Sequence, residues 1–214
     1  MASIQASVDL FKSERLIYRA PEDTAEDKEF IHSSILNDQT IQGMSTLRLS
    51  RPTNKNAADE FIKTLQGFVL GVLICLPVTS EEDNTTSEAP SNRPIKTIPI
   101  GHVNISNRFG PDTTHHRNAM LGISFAEGYR GQGYGGEAIN WALDWAFQYG
   151  GFHRICLGAF SFNTNALKLY RKLGFREEGR EREAVFRLRK WHDVIVMAML
   201  EHEWEALRSN VSEN

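Results

Sequence analysis

A glycine-rich turn at residues 130–138 constrains the fold of this chain more than any other feature. Its sequence, Arg-Gly-Gln-Gly-Tyr-Gly-Gly-Glu-Ala, lies between an apolar, strand-like run and an amphipathic helical pattern. Glycines let the backbone approach an anion without an intervening Cβ atom, and the N-terminus of a helix adds partial positive charge there. The spacing Arg-x-x-Gly-x-Gly therefore predicts a loop that holds an anion and suits a pyrophosphate group.

Length, charge and hydropathy indicate one compact domain. The 214 residues, 41% of them hydrophobic, are enough to bury a sizeable core. A formal net charge of −3 without a long single-sign block gives no reason to expect nucleic acid as a partner. The longest apolar run, at 67–76, is shorter than the roughly 20 residues that span a bilayer, so it predicts a buried strand and no membrane partner.

The N-terminus and the cysteines indicate a cytoplasmic protein in a reducing compartment. Residues 1–8 lack a basic stretch followed by an apolar core, so no secretory signal is predicted. Cys75 and Cys156 each lie inside an apolar run without the spacing of a metal site, and both are predicted to be core residues. A nucleophilic role for Cys156 is the less favoured alternative, because the sequence positions no His beside it.

Hydrophobic periodicity predicts a mixed α/β domain built on one sheet. The strands at 98–105 and 119–126 are expected to be adjacent and central, and the polar stretch 77–93 is predicted to be a solvated hairpin insertion. Helices are predicted to begin after a cap at Asp23 or Thr24, near Asn54 or Asn56, at the glycine turn, and after a cap at Asn163 or Thr164. The remaining predicted strands are 14–20, 68–76, 154–160 and a hairpin of 184–188 with 194–200.

Several ordered motifs accompany the glycine turn. In chain order they are Ile-Gly-His-Val at 100–103, Leu-Gly-Ile-Ser at 121–124, Tyr-Arg-Gly-Gln-Gly-Tyr-Gly at 129–135, Asn-Thr-Asn-Ala at 163–166 and Tyr-Arg-Lys-Leu-Gly-Phe at 170–175. Together they resemble the GNAT (GCN5-related N-acetyltransferase) superfamily. The start at 14–19 and the Trp-His-Asp at 191–193 are similar to the branch with ribosomal-protein N-terminal acetyltransferases and bacterial spermidine acetyltransferases.

The resemblance implies a domain plan and a reaction. It covers roughly residues 14–204, which would form one N-acetyltransferase domain with a flexible hairpin insertion at 78–94, an N-terminal extension at 1–13 and a C-terminal tail at 205–214. The implied fold is a twisted mixed sheet with helices on both faces, splayed at the glycine turn to admit acetyl-CoA. The implied acceptor is a primary amine on a polyamine, another small molecule or a protein N-terminus, and family members often form homodimers.

The family pattern also implies how coenzyme A is held. The backbone of two residues at the end of a central strand would pair with the pantetheine arm, and N–H groups of the glycine turn would hold the pyrophosphate. Three residues around the start of a later helix would contact the far side of the cofactor. The implied cofactor-binding residues are Phe125, Ala126, Arg130, Gly131, Gln132, Gly133, Tyr134, Gly135, Asn163, Asn165 and Lys168.

Acetyl transfer to an amine needs a neutral amine, a stabilised oxyanion and a proton for the departing thiolate. Tyr170 occupies the position of the family's general acid, although it also lies on the apolar stripe of its helix and could serve packing alone. Many relatives carry a carboxylate where this chain has Met120, so the sequence leaves the general base open. The alternatives are Glu127, His102, His115, His116, Asp193 or a bound water.

Other functions remain as alternatives at this level. The missing carboxylate favours a non-catalytic acyl-CoA-binding or regulatory module, whereas the retained Tyr170 favours an enzyme. A dinucleotide-binding domain is disfavoured, because no acidic residue occurs at 152–157, about 20 residues beyond the glycines. Acidic residues at 177–183 would suit a polyamine, but three arginines in the same run nearly cancel their charge, which is typical of a solvated face.

Overall fold

The computed structural model describes residues 9–78 and 96–212, without the side chains of residues 210–212. The insertion predicted at 78–94 lies outside these ranges except for its first residue. Its predicted hairpin structure therefore stays a prediction. The domain boundaries predicted at 13 and 204 also stay predictions.

Seven strands in the described part of the chain form a single mixed sheet, which confirms the predicted fold class. Their order across the sheet is β1-β2-β3-β4-β5-β7-β6, and neighbours are antiparallel except for β4 with β5. The predicted adjacency of the two central strands, now β3 and β4, is also confirmed. The strands are β1 Ile17–Arg19, β2 Leu70–Pro77, β3 Thr97–Asn107, β4 Asn118–Phe125, β5 Arg154–Phe160, β6 Arg176–Arg187 and β7 Lys190–Leu200.

Six α-helices connect or flank these strands in the described ranges. None of these helices has the length and hydropathy needed to cross a membrane. Two of them, α1 and α4, continue into π-helical segments at Ile31–Leu36 and Trp145–Tyr149. The helices are α1 Ala25–Phe30, α2 Gln39–Met44, α3 Asn56–Gln66, α4 Tyr134–Asp144, α5 Thr164–Lys172 and α6 Glu201–Ser212.

Alternation along β2 divides the core between the two faces of the sheet. Successive strand residues point to opposite faces, so Ile74 packs in a core with residues of α4, α5 and α6, whereas Leu73 and Cys75 pack against α3 and the segment after α1. All three side chains are fully buried. Helices therefore cover both faces, as predicted.

The closest agreement with the sequence occurs where local signals are strong. Strand β5 has the predicted bounds, Arg154–Phe160. Thr24 caps α1 through its hydroxyl, Asn163 caps α5 through its side-chain oxygen, and Gly174 follows α5 with a φ of +97°. Capping oxygens and a left-handed glycine are local requirements of helix ends, which is why the sequence reveals them.

Several elements differ from the prediction, and β7 begins at 190 and not at 194. Strand β1 is shorter than 14–20, because the residues before it bind a distant helix, as described below. Strand β6 begins at 176 and not at 184. Its first nine residues are all exposed, so no apolar alternation marks them as a strand. The sequence did predict that this charged stretch is a solvated face. Helix α2 was not predicted and has no buried residue, and α6 continues into the predicted tail as far as residue 212.

A buried ion pair between Arg19 and Asp27 joins β1 to α1. Asp27 is 1% exposed and accepts hydrogen bonds from the Arg19 guanidinium at 2.8 and 2.6 Å and from the Glu22 N–H at 2.8 Å. Removing one partner of a buried pair leaves the other charge without compensation. The pair therefore fixes the first strand against the helices of one face.

We expect Asp27→Ala to lower the free energy of unfolding by about 1–3 kcal/mol, because it leaves the Glu22 N–H and the partly buried Arg19 guanidinium without their acceptor. Asp23→Ala is the matched control, since it removes an ion pair to Lys28 in which the Asp23 side chain is 81% exposed, and such pairs contribute little. Urea unfolding followed by circular dichroism measures both. Equal effects of the two substitutions would contradict a structural role for the buried pair.

Candidate active site

The glycine turn forms an open cradle of backbone N–H groups between β4 and α4. Gly131 and Gly133 have φ values of +76° and +85°, a conformation that favours glycine, and Gly133 precedes the first turn of α4. Among the described residues, no protein group accepts a hydrogen bond from the N–H groups of residues 131–135. Free N–H groups at a helix N-terminus bind anions. The turn therefore fits the pyrophosphate of coenzyme A.

The edge of β4 that leads to this turn has no strand partner along most of its length. Strands β4 and β5 pair only at three positions, where residues 118–120 meet residues 154–156. The N–H of Ala126 donates to Ile100 O at 2.9 Å, and Asn118 O accepts from the Arg108 N–H at 3.0 Å, so even-numbered β4 residues bond to β3. In such a ladder the polar groups of the alternate residues, 121, 123 and 125, face the opposite side.

This geometry confirms the predicted splay of the sheet. It also shows that the two residues predicted to bind the pantetheine arm, Phe125 and Ala126, direct their N–H groups to opposite sides of β4. Phe125 presents its backbone to the open edge, but its carbonyl oxygen already accepts a hydrogen bond from Arg130 Nε at 2.8 Å. The N–H of Ala126 is directed to β3. The free groups on the open edge are therefore the Phe125 N–H and the polar groups of Ile123, which sequence reasoning did not select.

The side chain of Arg130, one of the implied cofactor-binding residues, is bound to protein groups. Its guanidinium forms an ion pair with Asp38 at 2.5 Å, and the two side chains are only 29% and 10% exposed. The other oxygen of Asp38 caps α2 by accepting the Ile41 N–H at 2.8 Å. Arg130 therefore connects the glycine turn to α2, because a carboxylate far away in sequence lies within its reach.

A cation that the sequence did not single out, Arg15, covers the outer side of the glycine turn. It donates to Gln132 O at 3.2 Å, and its guanidinium carbon lies 4.6 Å above the Tyr134 ring. It also forms an ion pair with Glu137 at 2.8 Å. The sequence separation of 122 residues hides this contact from any local pattern.

Glu137, in the first turn of α4, holds the N-terminal segment. Its carboxylate accepts the Arg15 N–H and the Ser13 hydroxyl, both at 2.7 Å. Burial acts to raise the pKa of Glu137, and the hydrogen bonds from Arg15 and Ser13 outweigh it, so this pKa lies below its ordinary value. The ionised carboxylate thus fixes residues 13–15 beside the cradle.

The remaining predicted cofactor residues lie on α5 and in the turn. Asn163 uses its side-chain oxygen to cap the helix, whereas Asn165 and Lys168 are exposed. Gly135 lies against Leu169 of α5, where an added Cβ would come within 3.3 Å of the Leu169 side chain. Helix α5 therefore packs directly on the start of α4, which brings its first turns close to the cradle.

The environment of Tyr170 is compatible with a packing role and with a general-acid role. Its ring lies 6.0 Å from that of Phe175, and it packs against the main core. Within the described ranges its hydroxyl has no hydrogen-bond partner, and burial raises its pKa. The phenol is therefore protonated at neutral pH and free to donate a hydrogen bond.

A cavity of about 780 Å³ lies on the α1–α3 side of β3 and β4. The sheet contributes His102, Asn104, Gly122, Ile123 and Ser124 to its wall. The helices and the loop after α2 contribute the rest, including Phe61 and the charged Arg48, Arg51 and Glu60. This cavity reaches β4 near its open edge, so it is the candidate site for the second substrate.

The general-base candidates from the sequence occupy different environments. Asp193 accepts hydrogen bonds from Arg180 and from the Glu183 N–H, both at 2.9 Å. Glu127, His115 and His116 are exposed and do not line the cavity. His102 is 7% exposed and does line it.

Comparison with known proteins agrees with the fold and the motifs. The model described as the acetyltransferase (GNAT) family matches residues 80–175. A GNAT acetyltransferase structure from Bacillus anthracis superposes with a TM-score of 0.68 at 22% identity, covering 90% of this chain and 98% of that one. The resemblance to the GNAT family is confirmed.

Three further matches are to individual N-acetyltransferases, one by structure and two by sequence. The Vibrio cholerae spermidine N-acetyltransferase, solved in complex with CoA and spermine, superposes with a TM-score of 0.69 at 23% identity, covering 90% of this chain and 99% of that one. By sequence, the spermidine N(1)-acetyltransferase of that organism is 35% identical over 89 residues, and the uncharacterized N-acetyltransferase YnaD of Bacillus subtilis is 30% identical over 105 residues. These matches span 42% and 49% of this chain, and 51% and 59% of the relatives' lengths.

We expect Gly133→Ala to weaken coenzyme A binding about tenfold or more. A residue with a Cβ atom is strained by roughly 1–2 kcal/mol at a φ of +85°. The added Cβ would also lie 3.3 Å from Arg15 Nη2. A backbone rotation that relieves this strain would turn the N–H groups of the cradle away from the anion. Gly128→Ala is the control, because an added Cβ there meets nothing within 4 Å. Isothermal titration with coenzyme A measures both affinities. Unchanged binding by the Gly133 variant would contradict the cradle.

Proposed function

We propose that this protein is an acetyl-CoA-dependent N-acetyltransferase that acts on a primary amine by direct attack on the thioester. The observation that carries the proposal is the set of unpartnered backbone groups formed by Ile123 and the Phe125 N–H on the β4 edge and by the N–H groups of 131–135. The match to the GNAT family supports the same conclusion. A non-catalytic acyl-CoA-binding module would need these backbone groups, but not the adjoining cavity.

The chain's own groups would divide the work as follows. The N–H groups of residues 131–135 bind phosphate oxygens, and the polar groups of Ile123 orient the pantetheine arm. Acetyl-CoA, when bound, supplies the acetyl thioester. The N–H of Phe125 stabilises the negative charge that develops on the carbonyl oxygen, and the Tyr170 hydroxyl gives its proton to the departing sulfur.

The charged residues in the cavity wall indicate which kind of acceptor would be attracted or repelled. Arg48 and Arg51 contribute two positive charges to the wall and Glu60 one negative charge, and no ion pair joins any of them to another described residue. A polycation would meet net repulsion there. We therefore favour a protein N-terminus or a small amine that carries an acidic group over a polyamine, although relatives include spermidine N-acetyltransferases.

The deciding experiment measures release of the coenzyme A thiol from acetyl-CoA. The acceptors would be spermidine, an aminoglycoside, amino acids, and peptides with acidic or basic residues next to a free N-terminus. We expect turnover with peptides or acidic amines and less with spermidine. Binding of coenzyme A without turnover on any acceptor would favour the non-catalytic module, and preferred turnover of spermidine would overturn the acceptor assignment.

We expect Tyr170→Phe to lower kcat by about 100-fold or more, because general acid catalysis contributes at least that much. Coenzyme A affinity should stay unchanged, since the phenyl ring retains the packing against Phe175. Leu173→Ala, at the residue that caps the C-terminus of the same helix, is a control for packing, and it should affect thermal stability more than kcat. Wild-type turnover in the Phe variant would rule out the acid role.

A further inference from the structure

A short polar stripe runs across the sheet at the floor of the cavity. His102 and Asn104 of β3 lie directly opposite Ser124 and Gly122 of β4, so all four share one face of the sheet. All four also line the cavity. Polar residues on two central strands are unusual, since buried sheet faces are normally apolar. The stripe therefore needs a chemical explanation.

His102 is the member of this stripe whose hydrogen-bonding groups are unused. Its side chain is more than nine-tenths buried, and its Nδ1 is inaccessible and has no partner in the described part of the chain. No hydrogen bond from a described residue reaches the other ring nitrogen either, and the only ring contact is with Phe61, at 5.1 Å between centroids. Buried polar groups in native proteins nearly always have a partner. A molecule bound in the cavity would supply one at the other ring nitrogen, Nε2, because Nδ1 is enclosed by the protein.

The surroundings keep the imidazole neutral until such a molecule arrives. Burial lowers the pKa of His102 to about 4, so the ring is unprotonated at neutral pH and can accept a hydrogen bond. It can take a proton only from a group that is more acidic than an ammonium ion. The titratable groups on the same cavity wall are Arg48, Arg51 and Glu60, and none of them is bonded to it. Neutral His102 is thus an available base in the cavity.

His102 also lies close to the predicted reaction point. It is paired across the strands with Ser124, the residue next to Phe125, and neighbouring strands are about 4.8 Å apart. Its ring therefore stands one strand away from the open β4 edge where the thioester would lie. An amine that entered the cavity would reach both groups.

We propose that His102 binds the acceptor amine in its neutral form and takes the proton that the nitrogen loses as the amide forms, an inference that rests on the proposed function. The ammonium form first loses one proton to solvent. The nitrogen lone pair then forms the N–C bond as the C–S bond breaks, and the bonded nitrogen, which is now far more acidic, gives its second proton to His102. His102 passes this proton to solvent, and Tyr170, which has protonated the sulfur, regains one from solvent, so one proton is released in total.

The test compares two variants at this position with one elsewhere. We expect His102→Leu and His102→Asn to lower kcat by about 100-fold, with the KM for acetyl-CoA unchanged. Both should fold, because a side chain without hydrogen-bond partners loses none on replacement; thermal unfolding checks this for each. His116→Asn, an exposed histidine outside the cavity, should retain wild-type kcat.

Chemical rescue separates a base from a merely structural residue. Imidazole added to a His102→Gly variant can occupy the vacated space and take the proton, so it should raise the kcat of this variant by about tenfold or more, whereas it should not rescue Tyr170→Phe. No rescue of the Gly variant, or no defect in the Leu and Asn variants, would overturn the assignment of His102. Failure of the wild-type protein to release thiol with any acceptor would instead refute the proposed function.

Discussion

The brief pairing between β4 and β5 is the constraint on which the rest of the structure depends. Strand β4 bonds to β3 along its whole length, and β5 bonds to β7 at all seven of its residues, but β4 and β5 meet at only three positions. The sheet is therefore two halves joined at one end. At the other end β4 keeps an edge of free polar groups inside the molecule, which is unstable unless a ligand or water satisfies it. The glycine turn follows this edge directly.

Long-range ion pairs attach the neighbouring segments to this opening. Glu137 holds residues 13–15 beside the glycine turn, and Asp38 joins the same turn to α2 through Arg130. At the far side of the cavity, Arg187 of β6 donates to the carbonyl oxygens of Gln42 and Thr46, at 2.6 and 3.0 Å. The cavity wall after α2 is thus held from both ends, so the acceptor site and the cofactor turn form one connected structure.

The sequence predicted what local chemistry determines. Helix caps such as Asn163, the strand bounds of β5 and the glycine turn follow from short patterns, and the family motifs extend these to the splayed sheet. It did not predict the partners of Arg130 or the position of Arg15, because both depend on carboxylates about 90 and 120 residues away. It also left His102 among several candidate bases, since only the fold reveals which of them is buried and unpartnered.

Amide hydrogen exchange with and without coenzyme A tests the central claim most directly, because it reports on the backbone groups themselves. The N–H groups of residues 131–135 and of Phe125 have no protein partner among the described residues, so they should exchange rapidly in the free protein. We predict that coenzyme A slows their exchange and leaves the exchange rates of the N–H groups in β6, an outer strand of the sheet, unchanged. Protection confined to other segments, with residues 131–135 exchanging as before, would contradict the proposed cofactor site.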